Sequence, residues 1–342
     1  MNPANLSSAA AAGGGTRDRR ILAVLWGAFL LFPLVAPNSY VVGMAVTFCI
    51  NLMLIASLNL LMGYCGQISM CQGGFFGLGA YASGVLSAKY GVPALLGIPA
   101  ALLLASAAAL LIALPVLRLR GHYLAMATLG FNAILSVLFV ELVDLTGGPN
   151  GLSGVEPITV AGFAIDTDRR FFYLVWAASL LLMWALLNLT RSRVGRAMIS
   201  VAGSEVGAAS LGINAYALKV SIFVLCAAVA SLAGTFYVHF NQFASPETFN
   251  FFISVLLVVM VAVGGWGKYW GPLFGALVFT LVPELLRAFH DVELFLFGVS
   301  MIVVLMFFPG GLAGMAQRLC QRRAPRAAPA SGIAPKGKVR HG

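Results

Sequence analysis

Apolar runs too long for a soluble core dominate this chain. Tyr40–Met62 holds 23 consecutive residues without a charge, and Val92–Leu117 holds 26. A helix needs about 20 such residues to cross a hydrocarbon layer of roughly 30 Å, whereas barrel strands alternate over about 10. Backbone polar groups in that layer must be satisfied within the segment, which selects helices for runs of this kind. Composition agrees: of 342 residues, 60% are hydrophobic and 9% charged, and the mean hydropathy is +0.94. A soluble domain carries about 25% charged residues. Soluble enzymes, DNA-binding domains and disordered chains are therefore poor candidates.

Ten spans are placed near Ile21–Ala36, Tyr40–Met62, Gly73–Ala88, Val92–Leu117, His122–Val140, Phe171–Leu189, Val220–Phe240, Phe251–Gly265, Gly271–Phe289 and Glu293–Pro309. The predicted fold class is an all-α integral membrane protein of about ten transmembrane helices, with a range of 8–10. The short, Gly-rich Gly73–Ala88 also reads as a re-entrant segment. A charged stretch before an apolar run resembles a secretory signal. The second apolar run follows at once, which favours an uncleaved first span. Residues 1–20 and 317–342 read as disordered basic tails around one membrane domain, 21–316.

Charge sets the orientation. With the N-terminus in the cytoplasm, 17 of the 21 Lys and Arg fall inside, and nine of the 11 acidic residues fall outside. This is the positive-inside pattern, and a wrong span count in the middle of the chain would scramble it. It places both termini in the cytoplasm of a bacterial-type inner membrane. The net charge of +10 then belongs to cytoplasmic loops and not to nucleic-acid binding. The basic tail after Met315 suits anionic membrane lipid.

Several chemistries lack their residues. No GxxxxGK[ST] loop occurs, and Gly264-Gly265-Trp266-Gly267-Lys268-Tyr269 lacks its spacing and hydroxyl. HExxH and GxSxG are absent as well. Cys49, Cys65, Cys71, Cys226 and Cys320 form no CxxC pair and match no zinc spacing, so neither a metal nor a disulfide is predicted. No catalytic residue and no cofactor is predicted. Glu284 and Arg287, at i and i+3, are the chief charges within spans, and they read as an ion pair near an interface. Proton and ion relays usually need more than that. Energy for any transport would come from a partner.

Three stretches carry functional interest. In the cytoplasmic loop Thr190–Lys219, Ser204–Leu211 reads as a short helix, with Ser204 as N-cap, Glu205 at its positive start and Gly212 as its stop. Its small residues suit either close approach of another protein or an ordinary structured loop. The Gly-rich Gly63–Tyr81 supplies the uncharged polar residues Gln67, Ser69 and Gln72. They suit a broken helix lining a path for a neutral or zwitterionic solute, and equally helix packing. Thr128 and Asn132, in the span His122–Val140, join them as path candidates. The outward Thr146–Gly154, with Gly148, Asn150 and nearby Glu156, is a run of turns in an acidic surface, suited to docking a soluble partner or to plain solvation.

These stretches, in this order, resemble the LivM-type permeases of branched-chain amino acid ABC importers. The family pattern GYxGQxSxGHxxFFGxGAY is similar to Gly63–Tyr81, and LRLRGxYLAxxTL to Leu117–Leu129. LTGGxxGLSG resembles Leu145–Gly154, and GRAxxAIxxxExAAxxLGIN resembles Gly195–Asn214. GGxGxxWGPxxGA and FxPxGLxG resemble Gly264–Ala276 and Phe307–Gly314. Where the family has Gly-His, this chain has Cys71-Gln72. The resemblance spans about residues 20–316 and implies an importer permease with four partners: a second, LivH-type permease, two P-loop ATPase subunits and a periplasmic solute-binding protein. It also implies that Arg196, Ser204, Glu205, Ala208, Ala209, Leu211, Gly212 and Asn214 form the segment that couples to the ATPases. The related urea or short-chain amide importers, and a stand-alone carrier or channel, are the alternatives.

Overall fold

The computed structural model describes residues 26–315 apart from 28, 36–37, 120, 161–162, 166, 287–292 and 308–309. The two basic tails, Arg120 and Arg287 lie outside the described residues, and the first predicted span is described only in part. The nine other predicted spans are helices: α1 (Ser39–Asn59), α2 (Gln72–Tyr90), α3 (Ala94–Val116), α4 (His122–Glu141), α5 (Asp168–Arg191), α8 (Ala215–Asn241), α9 (Phe251–Gly264), α10 (Gly271–Leu286) and α11 (Glu293–Phe307). Between α5 and α8 lie two shorter ones, α6 (Arg193–Gly203) and α7 (Glu205–Ser210). Among the described residues, five segments are long and apolar enough to cross a membrane: Ser39–Tyr64, α3, α4, α5 and α8.

α1 is apolar on all sides, and every residue from Leu52 to Gly63 is buried. A helix of that character belongs at the centre of a bundle. It ends in a π turn, Leu60–Tyr64. Around it the usual size order is inverted. α3 turns Gly97, Ala101, Ala105, Ala109 and Ala113 inward and leaves Leu96, Leu103, Leu111 and Leu114 exposed. Lipid tails are as apolar as leucine, so membrane helices gain most by bringing small residues together and their backbones close. α2 and α8 do this most closely. A Cβ on Gly234 would lie 1.9 Å from the Phe76 carbonyl oxygen, and one on Gly79 would lie 2.1 Å from that of Ser231. Buried hydroxyls satisfy themselves on helix carbonyls: Ser231 Oγ donates to Ala101 O at 3.0 Å and Thr235 Oγ1 to Ser231 O at 3.1 Å.

Among the described residues the architecture departs from a purely helical one in two small ladders. β1 (Leu152–Ser153) pairs antiparallel with β4 (Phe243–Ala244), and β2 (Thr159–Val160) with β3 (Phe163–Ala164). Both belong to connections at one end of the bundle. Glu284 there accepts a hydrogen bond from Tyr40 at 2.6 Å, a link between α10 and the start of α1 that the sequence does not announce.

Candidate functional site

The chain loses helical form after α1 and regains it at α2. The intervening Cys65–Cys71 is irregular yet largely buried. Gln72 locates the restart: its Nε2 donates to Ser57 Oγ at 2.6 Å and to Cys226 O at 3.4 Å. Cys226 lies 11 residues into α8, about 16 Å along its axis, so α2 begins well inside the bundle. Irregular backbone at such depth survives only where protein groups satisfy it. Met70 N donates to Thr128 Oγ1 at 3.0 Å, Ser69 Oγ contacts Cys71 Sγ at 3.1 Å, and Gly73 N donates to Ser254 Oγ at 2.8 Å. The five path candidates, Gln67, Ser69, Gln72, Thr128 and Asn132, are all buried, at 2% exposure or less. Thr128 and Asn132 lie one turn apart on α4. Thr128 meets the break at Met70, and Asn132 meets the first turn of α2 at Gly74.

A second break, missed in the sequence, faces the first. α9 has 14 residues, about 21 Å, which is short of a bilayer core. The chain before it runs back along α2 without long helical form. Tyr81 Oη donates to Ala244 O at 3.4 Å, Phe249 packs on Gly77, and Asn250 O lies over Gly73. Phe249 holds this stretch through ring contacts with Phe76 at 5.1 Å and Tyr81 at 5.6 Å. The N-terminal turns of α2 and α9 therefore meet inside the bundle.

The loop between α5 and α8 holds the coupling candidates. Ser204 Oγ accepts from Gly207 N at 3.1 Å and caps α7. At the other end Gly212 has φ +78°, Gly212 N donates to Ala209 O and Ile213 N donates to Ala208 O. That pair of bonds is a Schellman stop. Ala208 is buried; Ser204, Ala209, Leu211, Gly212 and Asn214 are exposed, Leu211 to 75%. Asn214 also caps α8, its Oδ1 accepting from Ala217 N at 3.0 Å. Glu205 forms an ion pair with Lys219 of α8. Arg196 is exposed and sits on α6, a helix the sequence reading did not separate. α6 starts at Ser192, whose Oγ accepts from Val194 N and Gly195 N, and it lays Ala202 against Gly66 in the break.

The predicted docking residues divide. Asn150 and Glu156 are exposed, whereas Gly148 is buried with φ +61° and a Cβ there would meet Val143 at 2.9 Å, so Gly148 shapes the loop from beneath. Buried His239 ties this loop to the bundle. Its Nδ1 is 2.7 Å from Glu156 O, and its Nε2 is 2.7 Å from Ser83 Oγ. A carbonyl only accepts, so Nδ1 carries the proton. Asn59 does similar work at the opposite end: its Oδ1 accepts from Gly267 N at 3.0 Å and its Nδ2 donates to Lys268 O at 3.1 Å. An amide in an apolar run is the signal for such a clamp, but its partners lie 208 and 209 residues away.

Comparison with known proteins follows the same lines. Residues 40–305 match the family described as branched-chain amino acid transport system / permease component. The chain is 33% identical over 281 residues to the high-affinity branched-chain amino acid transport system permease protein LivM of Escherichia coli K12. That match covers 75% of this chain and 66% of LivM. It is 30% identical to the LivH permease protein of the same strain over 41% of this chain and 46% of LivH. It is 28% identical to the ribose import permease protein RbsC of that strain over 47% of this chain and 50% of RbsC. No solved structure matches. The chain is a multi-pass membrane protein, and it belongs to the family of permease components of branched-chain amino acid transport systems.

Proposed function

We propose that this chain is one permease subunit of an ATP-driven importer for branched-chain and other hydrophobic amino acids. It spans a bacterial inner membrane ten times with both ends in the cytoplasm. It pairs with a LivH-type permease, stands on two P-loop ATPases and receives solute from a periplasmic binding protein. The observation that carries this reading is α7, a six-residue helix capped at both ends, with Val206 exposed to 77% and Leu211 to 75%. Nucleating so short a helix is unfavourable in isolation, so both caps and the ion pair to Lys219 hold a shape for a partner. On this reading α7 fills a groove of the ATPase, and Asn150 and Glu156 face the binding protein.

The test is recovery of the tagged chain in mild detergent, followed by reconstitution with its co-purifying subunits. A second permease and two P-loop ATPases should be recovered. Leucine with its binding protein should then stimulate ATP hydrolysis and enter the vesicles. Solute uptake by the chain alone, without an ATPase, would overturn the assignment.

A further inference from the structure

The first turn of α2 faces a polar group with nothing to bind. Asn132 on α4 is fully buried, and neither Oδ1 nor Nδ2 has a hydrogen-bond partner among the described residues. Its carboxamide lies directly against that turn: a Cβ on Gly74 would stand 2.6 Å from Oδ1 and 2.8 Å from Leu135 Cδ1. Buried amides are almost always paired, and each exception calls for a reason.

The surroundings define what would pair with it. α2 is 19 residues long, and its N-terminal turn carries backbone donors and the positive end of the helix dipole. Cys71 at the N-cap position supplies no side-chain acceptor to that turn. Ser254 Oγ accepts from Gly73 N, which leaves its own proton for another acceptor. Turning the Asn132 carboxamide by 180° presents Nδ2–H to the same space. Donors thus converge from α2, α4 and α9, and each of these lining groups is neutral. A cation would meet the positive end of the helix, whereas a carboxylate would satisfy every one of these donors.

We infer that the N-terminal turn of α2, with Asn132 and Ser254, is an intramembrane site for the carboxylate of the transported amino acid. This rests on the importer reading. In the present conformation Asn132 and Leu135 close over Gly74, and movement of the Cys65–Cys71 break opens the site. Gln67, whose buried amide likewise has no partner at either atom among the described residues, lies in that break and is next to Gly66, which touches Ala202. It marks the way from the site towards the α6–α7 loop.

The test uses the assembled transporter in proteoliposomes, with radiolabelled leucine, binding protein and internal ATP. Asn132→Leu removes the unpaired amide and keeps the branched shape and heavy-atom count of the side chain. If Asn132 had a structural role, this variant would melt lower. As a ligand group, Asn132→Leu keeps or raises the melting temperature and loses at least about tenfold in uptake, the loss of one charge-assisted hydrogen bond. Asn132→Asp sets a negative charge against the carboxylate and should lose as much with the complex still assembled. Wild-type uptake by Asn132→Leu would overturn the site and leave a buried water as the partner of Asn132. A fall in uptake that follows a fall in melting temperature would overturn it too. A wild-type complex that takes up no leucine would instead defeat the importer reading, before any variant is compared.

Discussion

Gly234→Ala tests the closest contact in the bundle. The added Cβ would lie 1.9 Å from Phe76 O and 2.9 Å from Ala80 N. Both obstacles are backbone within a helix, so no rotamer can move aside. Real Cβ contacts essentially never fall under 3.0 Å, so α2 and α8 must separate by about 1 Å at this point. A radial gap of that size forfeits up to about half of each lost contact. It also draws the Gly79–Ser231 approach apart, one turn along the same seam. Overpacking a tight core costs about 1–3 kcal/mol, and a backbone obstacle places this case at about 3 kcal/mol. At roughly 2 °C per kcal/mol for a chain larger than a single small domain, the melting temperature in mild detergent should fall by about 6 °C. Gly130→Ala is the control, since a Cβ there meets nothing within 4 Å and only helix propensity changes. A Gly234→Ala protein that melts within about 1 °C of wild type would refute the argument, because the helices would then not touch as described.

Other outcomes follow from the same geometry. Glu205→Lys and Lys219→Glu each set like charges together and should lower solute-stimulated ATP hydrolysis; the double reversal should recover it. With exposures of 12% and 31% the pair is worth about 1 kcal/mol, and failure of the double to recover would remove it from the coupling path. Asn59→Leu leaves Gly267 N without its acceptor, at about 1–3 kcal/mol, while Lys268 O keeps its bond from Gly271 N, so hydrogen exchange at Gly267 should quicken selectively. Unchanged exchange would show that water replaces the clamp. With Asn150→Cys and Ser204→Cys, an impermeant thiol reagent should label the first from outside and the second from inside. The reverse pattern would overturn the proposed orientation.

What could be read from the sequence was local. Apolar runs became helices because backbone groups in hydrocarbon permit little else. Ser204 and Gly212 bounded α7 because caps act within a few residues. α6 escaped notice because Arg193 and Arg196 mask an inward line of Gly195, Met198 and Val201, whose use depends on packing against α5 and the π turn. The extended stretch before α9 was hidden for a different reason. Gly77 and Gly73 give it room, and no pattern within Phe243–Asn250 discloses that a helix more than 160 residues earlier has cleared that space. Gly148 was placed on the surface by its turn-rich neighbours, yet a turn that packs on α4 buries the residue with the least side chain.

The two halves of the site meet at Gly66. The backbone contacts at Gly79 and Gly234 make α2 and α8 one body, and Lys219 ties the start of that body to α7. α1 is separated from α2 by the irregular Cys65–Cys71 break, fastened at its start by Cys65 N to Leu60 O and Gln67 N to Leu61 O. Within that break Gly66 holds φ +70°, and α6 touches it through Ala202, with 3.2 Å from a built Cβ to Ala202 Cβ. On the proposed coupling, a push on α7 would move α8 and α2 together and bend the chain at this irregular break. Gly66→Ala restricts that bend, at a backbone cost of about 1–2 kcal/mol for the left-handed conformation. Gly91→Ala carries the same kind of strain, at φ +60° with nothing within 4 Å, but lies beyond the other end of α2. If the break is the hinge, Gly66→Ala should lose transport while the complex stays assembled, and Gly91→Ala should keep it. Equal transport by the two would place the hinge elsewhere.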